Sequence, residues 1–165
     1  KEPPDGHYTV SARRNLIADA ADFDALLAER SFHLDTYCFD SKPEMELFLH
    51  LLRDPRVRLI YFTGMLTHGQ SDFYVQYIDP DSHAVRSYFP DFLMKTDDGG
   101  YIIVEVKGDH QVDEPVVMAK KRYAEEMAGA SGMRYEMIKG TDAEAGRYGV
   151  LFGDGGQLQV GLLAD

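Results

Sequence analysis

Three ionisable residues in the middle of the chain have a spacing that suits metal chemistry. They are Asp91, which follows Pro90, and the pair Glu105 and Lys107, which a single valine separates. Glu105 and Lys107 point to the same face of an extended strand because side chains alternate along it. Two carboxylates and an ammonium in one place can hold Mg²⁺, activate a water molecule and offset negative charge on a phosphate. These residue types therefore favour metal-assisted hydrolysis.

A predicted hairpin brings these residues together. Residues 96–100 read Thr-Asp-Asp-Gly-Gly, which is a strong turn signal between two segments typical of strands, 85–94 and 101–106. Paired residues across a hairpin have numbers with a nearly constant sum, which a turn centred near Asp98 sets at about 196. The sequence therefore predicts that Asp91 lies opposite Glu105, with the two carboxylates converging.

A plainer interpretation of the same residues is a charge pair on the surface of a sheet. Alone, a glutamate and a lysine two residues apart are common and carry little information. Here, however, Glu105 and Lys107 interrupt the nearly continuous apolar run of 101–106, where an unpaired charge is costly. The functional interpretation is therefore favoured when Asp91 is also in register.

A fourth acid comes from a predicted helix. Ser41 is suited to be its N-cap, Pro43 lies in the first turn, and the helix runs to about Arg53. The apolar stripe of this helix has the spacing of one helical face and consists of Leu47, Phe48, Leu51 and Leu52. Glu44 lies at the end of the stripe and is the preferred candidate for the site, while Glu46, which lies off it, is its close rival.

The other periodic segments define the expected architecture. Helices are predicted at 19–30 and 113–127, strands at 57–62, 73–78 and 133–138, and a terminal hairpin at 148–152 and 158–162. The order of a helix, several antiparallel strands, a helix and a strand predicts an α/β fold with a central mixed β-sheet flanked by helices.

Composition sets limits on the protein class. The chain has 165 residues, 44% apolar and 27% charged, which fits one domain over 1–165. It contains no membrane span and no signal peptide, and its single cysteine, Cys38, is expected to be a buried structural residue in a reducing cytoplasm. The formal net charge of −11 opposes binding to a phosphate backbone, so we expect a fragment of a larger protein in which a basic partner captures DNA.

The motifs together resemble the PD-(D/E)xK nuclease superfamily. The stretch from Tyr88 to Phe92, the turn, and Val104-Glu105-Val106-Lys107-Gly108 look like the C-terminal endonuclease domain of type III restriction enzymes and related helicase–nuclease proteins. The segment 41–44 is similar to the preceding acidic helix of that group, and 119–123 to its following helix. The resemblance covers about 40–140 and implies a restriction-endonuclease-like fold, although the chain has no phosphate-binding loop of a motor.

The resemblance implies a DNA endonuclease that depends on Mg²⁺, for which Mn²⁺ can substitute. It also implies that a helicase or ATPase, on another domain or subunit, works with the endonuclease. Its implied metal ligands are Asp91, Glu105, the Val106 carbonyl and Glu44, and Lys107 is its catalytic lysine. Three basic residues of the following helix can contact DNA phosphates, although a solvated face explains them equally well: Lys120, Lys121 and Arg122. The alternative is a catalytically inactive DNA- or protein-binding module that has kept the fold.

Overall fold

The computed structural model describes residues 14–19, 29–31, 36–65 and 73–153. Its strands and helices, in chain order, are β1 (Ile17–Asp19), β2 (Thr36–Cys38), α1 (Lys42–Arg53), β3 (Val57–Phe62), β4 (Val75–Ile78), β5 (Val85–Tyr88), β6 (Phe92–Thr96), β7 (Tyr101–Lys107), α2 (Pro115–Ala130), β8 (Arg134–Lys139) and α3 (Gly140–Glu144). Short 3₁₀ turns occupy Arg14–Leu16, Thr63–Met65 and Gly149–Phe152.

The central sheet has four strands in the order β3-β6-β7-β8. Strands β3, β6 and β7 pair antiparallel, whereas β8 pairs parallel to β7, with α2 in the connection between them. Two further antiparallel pairs, β1 with β2 and β4 with β5, lie outside this sheet. The predicted α/β fold with a central mixed sheet flanked by helices is thus confirmed, and it is consistent with a restriction-endonuclease-like fold.

The hairpin of β6 and β7 has the register that the sequence predicts. Phe92 pairs with Val104 and Lys95 pairs with Tyr101, so paired numbers add to 196 at both ends of the ladder. The turn is held by backbone hydrogen bonds between Thr96 and Gly100 and between Gly99 and Thr96. Gly99 has a φ of +92°, which a residue with a Cβ rarely adopts.

One face of the sheet packs against α1 and α3, and we call this the α1-side core. Ser41 caps α1, and the predicted stripe of four apolar residues on that helix is fully buried. The core also contains the alternate residues Ile102, Val104 and Val106 of β7 and a group of aromatic rings. These rings, which lie within about 6 Å of one another between centroids, belong to Tyr37, Phe39, Phe48, Phe62 and Phe92.

The opposite face packs against α2 and the hairpin of β4 and β5, and we call it the α2-side core. Its buried members are fewer: Val75, Tyr77, Tyr88, Ile103, Ala124, Ala128 and Tyr135. Because side chains alternate along β7, Glu105 and Lys107 lie on the same face as Ile103. The two charged residues therefore enter the α2-side core from the carboxyl end of β7.

Several local predictions are corrected. The segment 85–94 is two strands, because Pro90 has no N–H for a ladder and the chain leaves the sheet there. Residues 149–152 form a 3₁₀ turn that buries Leu151, ended by Gly153 in a left-handed conformation. Asp19 ends a strand rather than starting a helix, and Cys38 is only half-buried in β2.

Other element boundaries are shifted or cannot be compared. The predicted strand at 73–78 begins at Val75, and the helix predicted at 113–127 spans Pro115–Ala130. Most of the helix predicted at 19–30, and the second strand of the terminal hairpin at 158–162, lie outside the described residues. Among the helices of the described ranges, none has the length and apolar character needed to cross a membrane.

Candidate active site

The loop that carries Asp91 is tied to the end of β3. The Thr63 hydroxyl donates to the Pro90 carbonyl at 2.6 Å in a buried position, and the Gly64 N–H donates to the Asp91 carbonyl at 3.0 Å. A Cβ built on Gly64 would lie 3.4 Å from the Asp91 Cα and 3.2 Å from the Phe62 ring, so only glycine allows this close approach without displacement. The backbone of Asp91 is therefore fixed from both sides.

The side chain of Asp91 is held against the opposite strand. Its Oδ2 accepts a hydrogen bond from the Val106 N–H at 2.7 Å. Val106 follows Glu105, so this bond extends the hairpin register beyond the last ladder pair and brings the Asp91 carboxylate beside the Glu105 residue. The sequence analysis placed these two acids opposite each other, and the structure brings them together.

Glu105 is a buried acid with one satisfied oxygen. The residue is 3% exposed, and its Oε1 forms an ion pair with the Lys107 Nζ at 2.6 Å. Its Oε2 has no hydrogen-bond partner among the described residues. A buried carboxylate oxygen without a donor is costly and is uncommon in folded proteins. The unpartnered Oε2 therefore distinguishes Glu105 from ordinary buried carboxylates.

The carboxylates of the site repel one another. Burial raises the pKa of Asp91 well above its usual value, and the charges of Glu105 and Glu44 add to the rise. Burial also raises the pKa of Glu105, although the cation of Lys107 acts in the other direction. Raised pKa values from burial and like charges are what an acid cluster shows when no cation neutralises it.

Lys107 is the cation that faces this cluster. Burial alone would lower the pKa of Lys107, but the charges of Glu105, Asp91 and Glu44 outweigh burial and raise it. An ammonium with a raised pKa stays protonated at neutral pH. Lys107 is therefore suited to stabilise negative charge and to orient a water molecule, and it is poorly suited to accept a proton.

Glu44 reaches the same place from the first turn of α1. Its carboxylate accepts hydrogen bonds from the Ser41 hydroxyl at 2.8 Å and from the Asp40 N–H at 3.3 Å. Burial raises the pKa of Glu44, and the charge of Glu105 contributes to the rise. Glu46 is two residues further and roughly 200° around the helix axis, so the geometry favours Glu44 over Glu46.

The three basic residues of α2 do not form one surface. Lys120 lies over the rings of Tyr77 and Tyr88, with its Nζ 5.5 Å and 5.3 Å from the two centroids. Burial and the cation of Lys107 lower the pKa of Lys120, while Glu105 raises it, so Lys120 faces the site.

The other two basic residues have separate surroundings. Lys121 pairs with Glu125 at 3.8 Å, and the guanidinium of Arg122 lies 4.9 Å from the centroid of the Tyr123 ring. Of the three, Lys120 is the one whose electrostatic partners belong to the site.

Three residues of the site surroundings were not found from the sequence. Thr63 supports the loop before Asp91, and Tyr88 and Tyr135 are buried beside Glu105, whose charge acts on both. The position of Tyr88 at the start of the motif stretch was a usable signal, and in the structure it is the buried residue of β5. Tyr135 depends on the parallel register of β8, which no local pattern reveals.

The donor set of the site fits a hard divalent cation. Mg²⁺ is commonly held by one or two carboxylates together with water and substrate phosphate, and Asp91 and Glu105 supply two. The carboxylate of buried Glu105 keeps lone pairs that no donor of the described residues takes up. In the described ranges, no group of three His, Cys, Asp or Glu side chains is arranged to hold a metal ion by itself. The site therefore fits a cation that takes part of its coordination from substrate and water.

Comparison with known families agrees with this chemistry. Residues 69–140 match the family model described as TnsA-like endonuclease N terminal, which belongs to the PD-(D/E)xK nuclease superfamily. The match includes Asp91, Glu105, Lys107 and Lys120, whereas Glu44 lies before it. No curated protein matches the chain. The match suggests nuclease activity, and the finer likeness to type III restriction enzymes stays a prediction.

Proposed function

We propose that this domain is a divalent-metal-dependent DNA endonuclease that hydrolyses phosphodiester bonds. The observation that carries the proposal is the buried Glu105, which forms an ion pair with Lys107 at 2.6 Å and lies beside Asp91 in a fixed hairpin register. A protein keeps a carboxylate buried at 3% exposure with a free oxygen only where something outweighs its desolvation. A catalytic cation, Mg²⁺ or Mn²⁺, is the partner that the oxygen donors favour.

In this proposal the chain contributes position and charge. Asp91 and Glu105 would hold the cation, the Val106 carbonyl would be a third ligand, and Glu44 would act directly or through a water molecule. The bound metal supplies activation of water and stabilisation of charge on the phosphate. The oxygen of the water forms a bond to phosphorus while the bond from phosphorus to the departing ester oxygen breaks; the attacking water releases one proton to solvent, and the departing oxygen takes up one proton from solvent. Lys107, which keeps its proton, orients the water and offsets negative charge on the phosphate.

The DNA phosphate is proposed to lie between two cations. Lys107 enters from β7 and Lys120 enters from α2, and the charge of Lys107 lowers the pKa of Lys120. An anion between two ammonium groups removes this repulsion. Lys121, which is paired with Glu125, and Arg122, over Tyr123, are assigned a smaller role in phosphate binding.

The net charge of −11 supports the further proposal that this domain works with a partner. A chain with this charge gains little from the phosphate contacts that dominate non-specific DNA affinity. We propose that a helicase or translocase ATPase, on the same chain or on a separate subunit, delivers DNA to the site, as in a cytoplasmic restriction system.

A plasmid nicking assay tests the proposed activity. Supercoiled plasmid is incubated with the protein over a series of Mg²⁺ and Mn²⁺ concentrations, and Lys107→Ala and Asp91→Asn are run in parallel. Asp97→Asn is a matched control, because Asp97 is an exposed acid in the turn at the far end of the same hairpin. Metal-dependent nicking by the wild type and by Asp97→Asn, but by neither site variant, is the expected result. Equal nicking by Lys107→Ala and the wild type would reject the assignment.

The second candidate is a module with the same fold and no catalysis. It is favoured by the acidic charge and by the finding that, within the described ranges, no three acids or histidines are arranged around one metal position. Calorimetry distinguishes the two functions, because an inactive module has no reason to bind Mn²⁺. Heat of Mn²⁺ binding that disappears in Asp91→Asn supports the endonuclease, and the absence of heat in the wild type supports the module.

A further inference from the structure

Three buried polar atoms of the described chain lack a hydrogen-bond partner, and all three belong to the α2-side core. They are the Oε2 of Glu105 and the hydroxyls of Tyr88 and Tyr135. Each residue is less than one-tenth exposed, at 3%, 8% and 6% respectively. Leaving one such atom unsatisfied costs about 1–3 kcal/mol, so three at separate places would be a heavy burden on a marginally stable domain.

Glu105 and Tyr135 lie on neighbouring strands of the central sheet, and Tyr88 lies on the β4–β5 hairpin that packs against this sheet. Tyr135 pairs with Ile103 across β7 and β8, so Glu105, two residues along, is its diagonal neighbour on the same face. Tyr88, at the end of β5, is buried in the same core as Ile103 and Tyr135. The two hydroxyls approach each other without forming a hydrogen bond of regular geometry. The charge of Glu105 acts on both phenols, which agrees with a position of the three groups near one another.

The chemistry of these atoms is complementary. A phenol hydroxyl can donate one hydrogen bond, and a carboxylate oxygen can accept two. We propose that Tyr88 and Tyr135 are positioning residues that donate to the Oε2 of Glu105, directly or through one shared water, and so fix the carboxylate. The hydrogen bonds to Glu105 are independent of the proposed function, and only their effect on metal binding rests on it.

The arrangement divides the two oxygens of Glu105 between two tasks. Oε1 forms the ion pair with Lys107 at 2.6 Å, whereas Oε2 is the oxygen left for the tyrosines. Burial raises the pKa of both phenols, and the charge of Glu105 adds to the rise, so both stay protonated donors. Groups that hold a metal-binding carboxylate from behind typically change metal affinity by 10–100-fold when they are removed.

A double-mutant cycle without metal tests the contact itself. Tyr88→Phe and Tyr135→Phe are made in the wild-type chain and in a Glu105→Leu chain, and melting is followed in EDTA. Each change is expected to lower the melting temperature of the wild type by at least about 3 °C, because the Glu105 carboxylate loses a donor. In the Glu105→Leu chain the same changes are expected to leave it unchanged, because no carboxylate remains.

Mn²⁺ titration of the chains with Glu105 intact tests the consequence for the site. The two phenylalanine variants are expected to bind Mn²⁺ about tenfold more weakly. Tyr101→Phe is the matched control, because Tyr101 lies on the same strand and face as Glu105 but is 37% exposed at the other end of β7. Its Mn²⁺ affinity is expected to equal that of the wild type.

The two measurements separate this inference from the proposed function. Equal melting shifts in both backgrounds overturn the positioning role, whatever the metal titration shows. If the melting shifts depend on Glu105 but the wild type does not bind Mn²⁺, the hydrogen bonds to Glu105 are supported and the proposal of a metal-dependent endonuclease is rejected. Unchanged Mn²⁺ affinity in both tyrosine variants of a chain that binds Mn²⁺ overturns the assignment of Tyr88 and Tyr135 to metal binding.

Discussion

The two faces of the central sheet follow different physical rules. The α1-side core is apolar throughout, and its phenol, that of Tyr37, shares a hydrogen bond with the Ser31 hydroxyl at 2.9 Å. The α2-side core adjoins a buried carboxylate and contains every unpartnered buried side-chain atom of the described ranges. One face follows the rule that buried polar groups are satisfied, and the other departs from it at the candidate site.

The difference shows where stability and chemistry are located. Strand β7 contributes to both faces, with Val104 and Val106 in the α1-side core and Glu105 and Lys107 on the opposite side. The apolar residues anchor the strand, so the charged residues can be held in positions that are unfavourable without a cation. If this division holds, substitutions on the two faces will have separable effects on folding and on metal response.

The largest expected effect is on folding, from Phe48→Ala in the α1-side core. Phe48 is fully buried and its ring lies within about 6 Å of four other aromatic rings, so its removal leaves a cavity. We expect the free energy of unfolding to fall by about 3–5 kcal/mol. Urea denaturation in EDTA and with Mg²⁺ measures this loss together with the metal-induced shift. A loss below about 1 kcal/mol would contradict the assignment of this core as the main source of stability.

The second effect is on catalysis, from Lys107→Met. The change removes the cation that faces Glu105 at 2.6 Å, and we expect the nicking rate to fall by about 10²–10³-fold. Stability in EDTA should also fall, because the acids lose their compensating charge. Lys95→Met is the control, since Lys95 lies over the Tyr101 ring at the other end of the hairpin. A comparable loss of activity in that control would show that the effect is not specific to the site.

The third effect is a gain in stability without metal, from Asp91→Asn. Relief of repulsion between acids is worth of order 1 kcal/mol at an effective dielectric constant near 20. Asp91 is the clearest case because Glu105 and Glu44 both raise its pKa. Glu105→Gln should gain less, because it also leaves Lys107 without its ion-pair partner. Saturating Mg²⁺ should reverse the order, since the wild type then gains stability from binding.

The pH dependence in EDTA follows from the same raised pKa. Above the ordinary aspartate pKa of 3.8, the folded protein retains a proton at Asp91 that the unfolded chain has released. The free energy of unfolding contributed by this group should therefore fall as pH rises, until the raised pKa is passed. Urea denaturation from about pH 4 to about pH 8 should show a shallower decline in Asp91→Asn. An identical decline in both proteins would show that Asp91 is not the group responsible.

The smallest expected effect separates two adjacent lysines on α2. Lys120→Met should slow nicking by about 3–10-fold, because Lys120 faces Lys107 and Glu105 and is positioned to contact a phosphate. Lys121→Met, the matched comparison, should slow nicking less than Lys120→Met does, because Lys121 pairs with Glu125 on the helix surface. Initial nicking rates at two salt concentrations measure both. If the two variants lose equal activity, the assignment of Lys120 to the site is wrong.

The sequence was sufficient where local rules decide the geometry. The turn at 96–100 determines the hairpin register, and side-chain alternation then determines which residues of β7 share a face. The capped start of α1 and its apolar stripe predict that Glu44 faces inward at the end of that stripe. These features needed only periods, turn residues and caps.

The sequence was insufficient where tertiary contacts decide the geometry. Pro90 is a sequence signal for a break in 85–94, but nothing in the sequence indicated that Thr63 would donate a hydrogen bond to the Pro90 carbonyl. Three consecutive basic residues on α2 look alike in sequence, and only the packing of the helix directs Lys120 towards Tyr77 and Tyr88. Tyr135 joins the site through a parallel pairing that a local pattern cannot specify.

The parallel pairing of β7 with β8 has a consequence for the order of folding. The hairpin that carries Asp91 and Glu105 is local in sequence, and such hairpins form in about 1–10 μs. Strand β8 can dock only after the long connection containing α2 has closed, which is a slower, non-local step. We expect the hairpin with Asp91 and Glu105 to form before β8 docks. Pulse-labelled hydrogen exchange would show this order as earlier protection of Ile103 than of Tyr135. In a chain still emerging from the ribosome, Asp91 and Glu105 would then lie close together before β8 has docked. The proposed site would be complete, and cleavage could begin, only after the whole domain has folded.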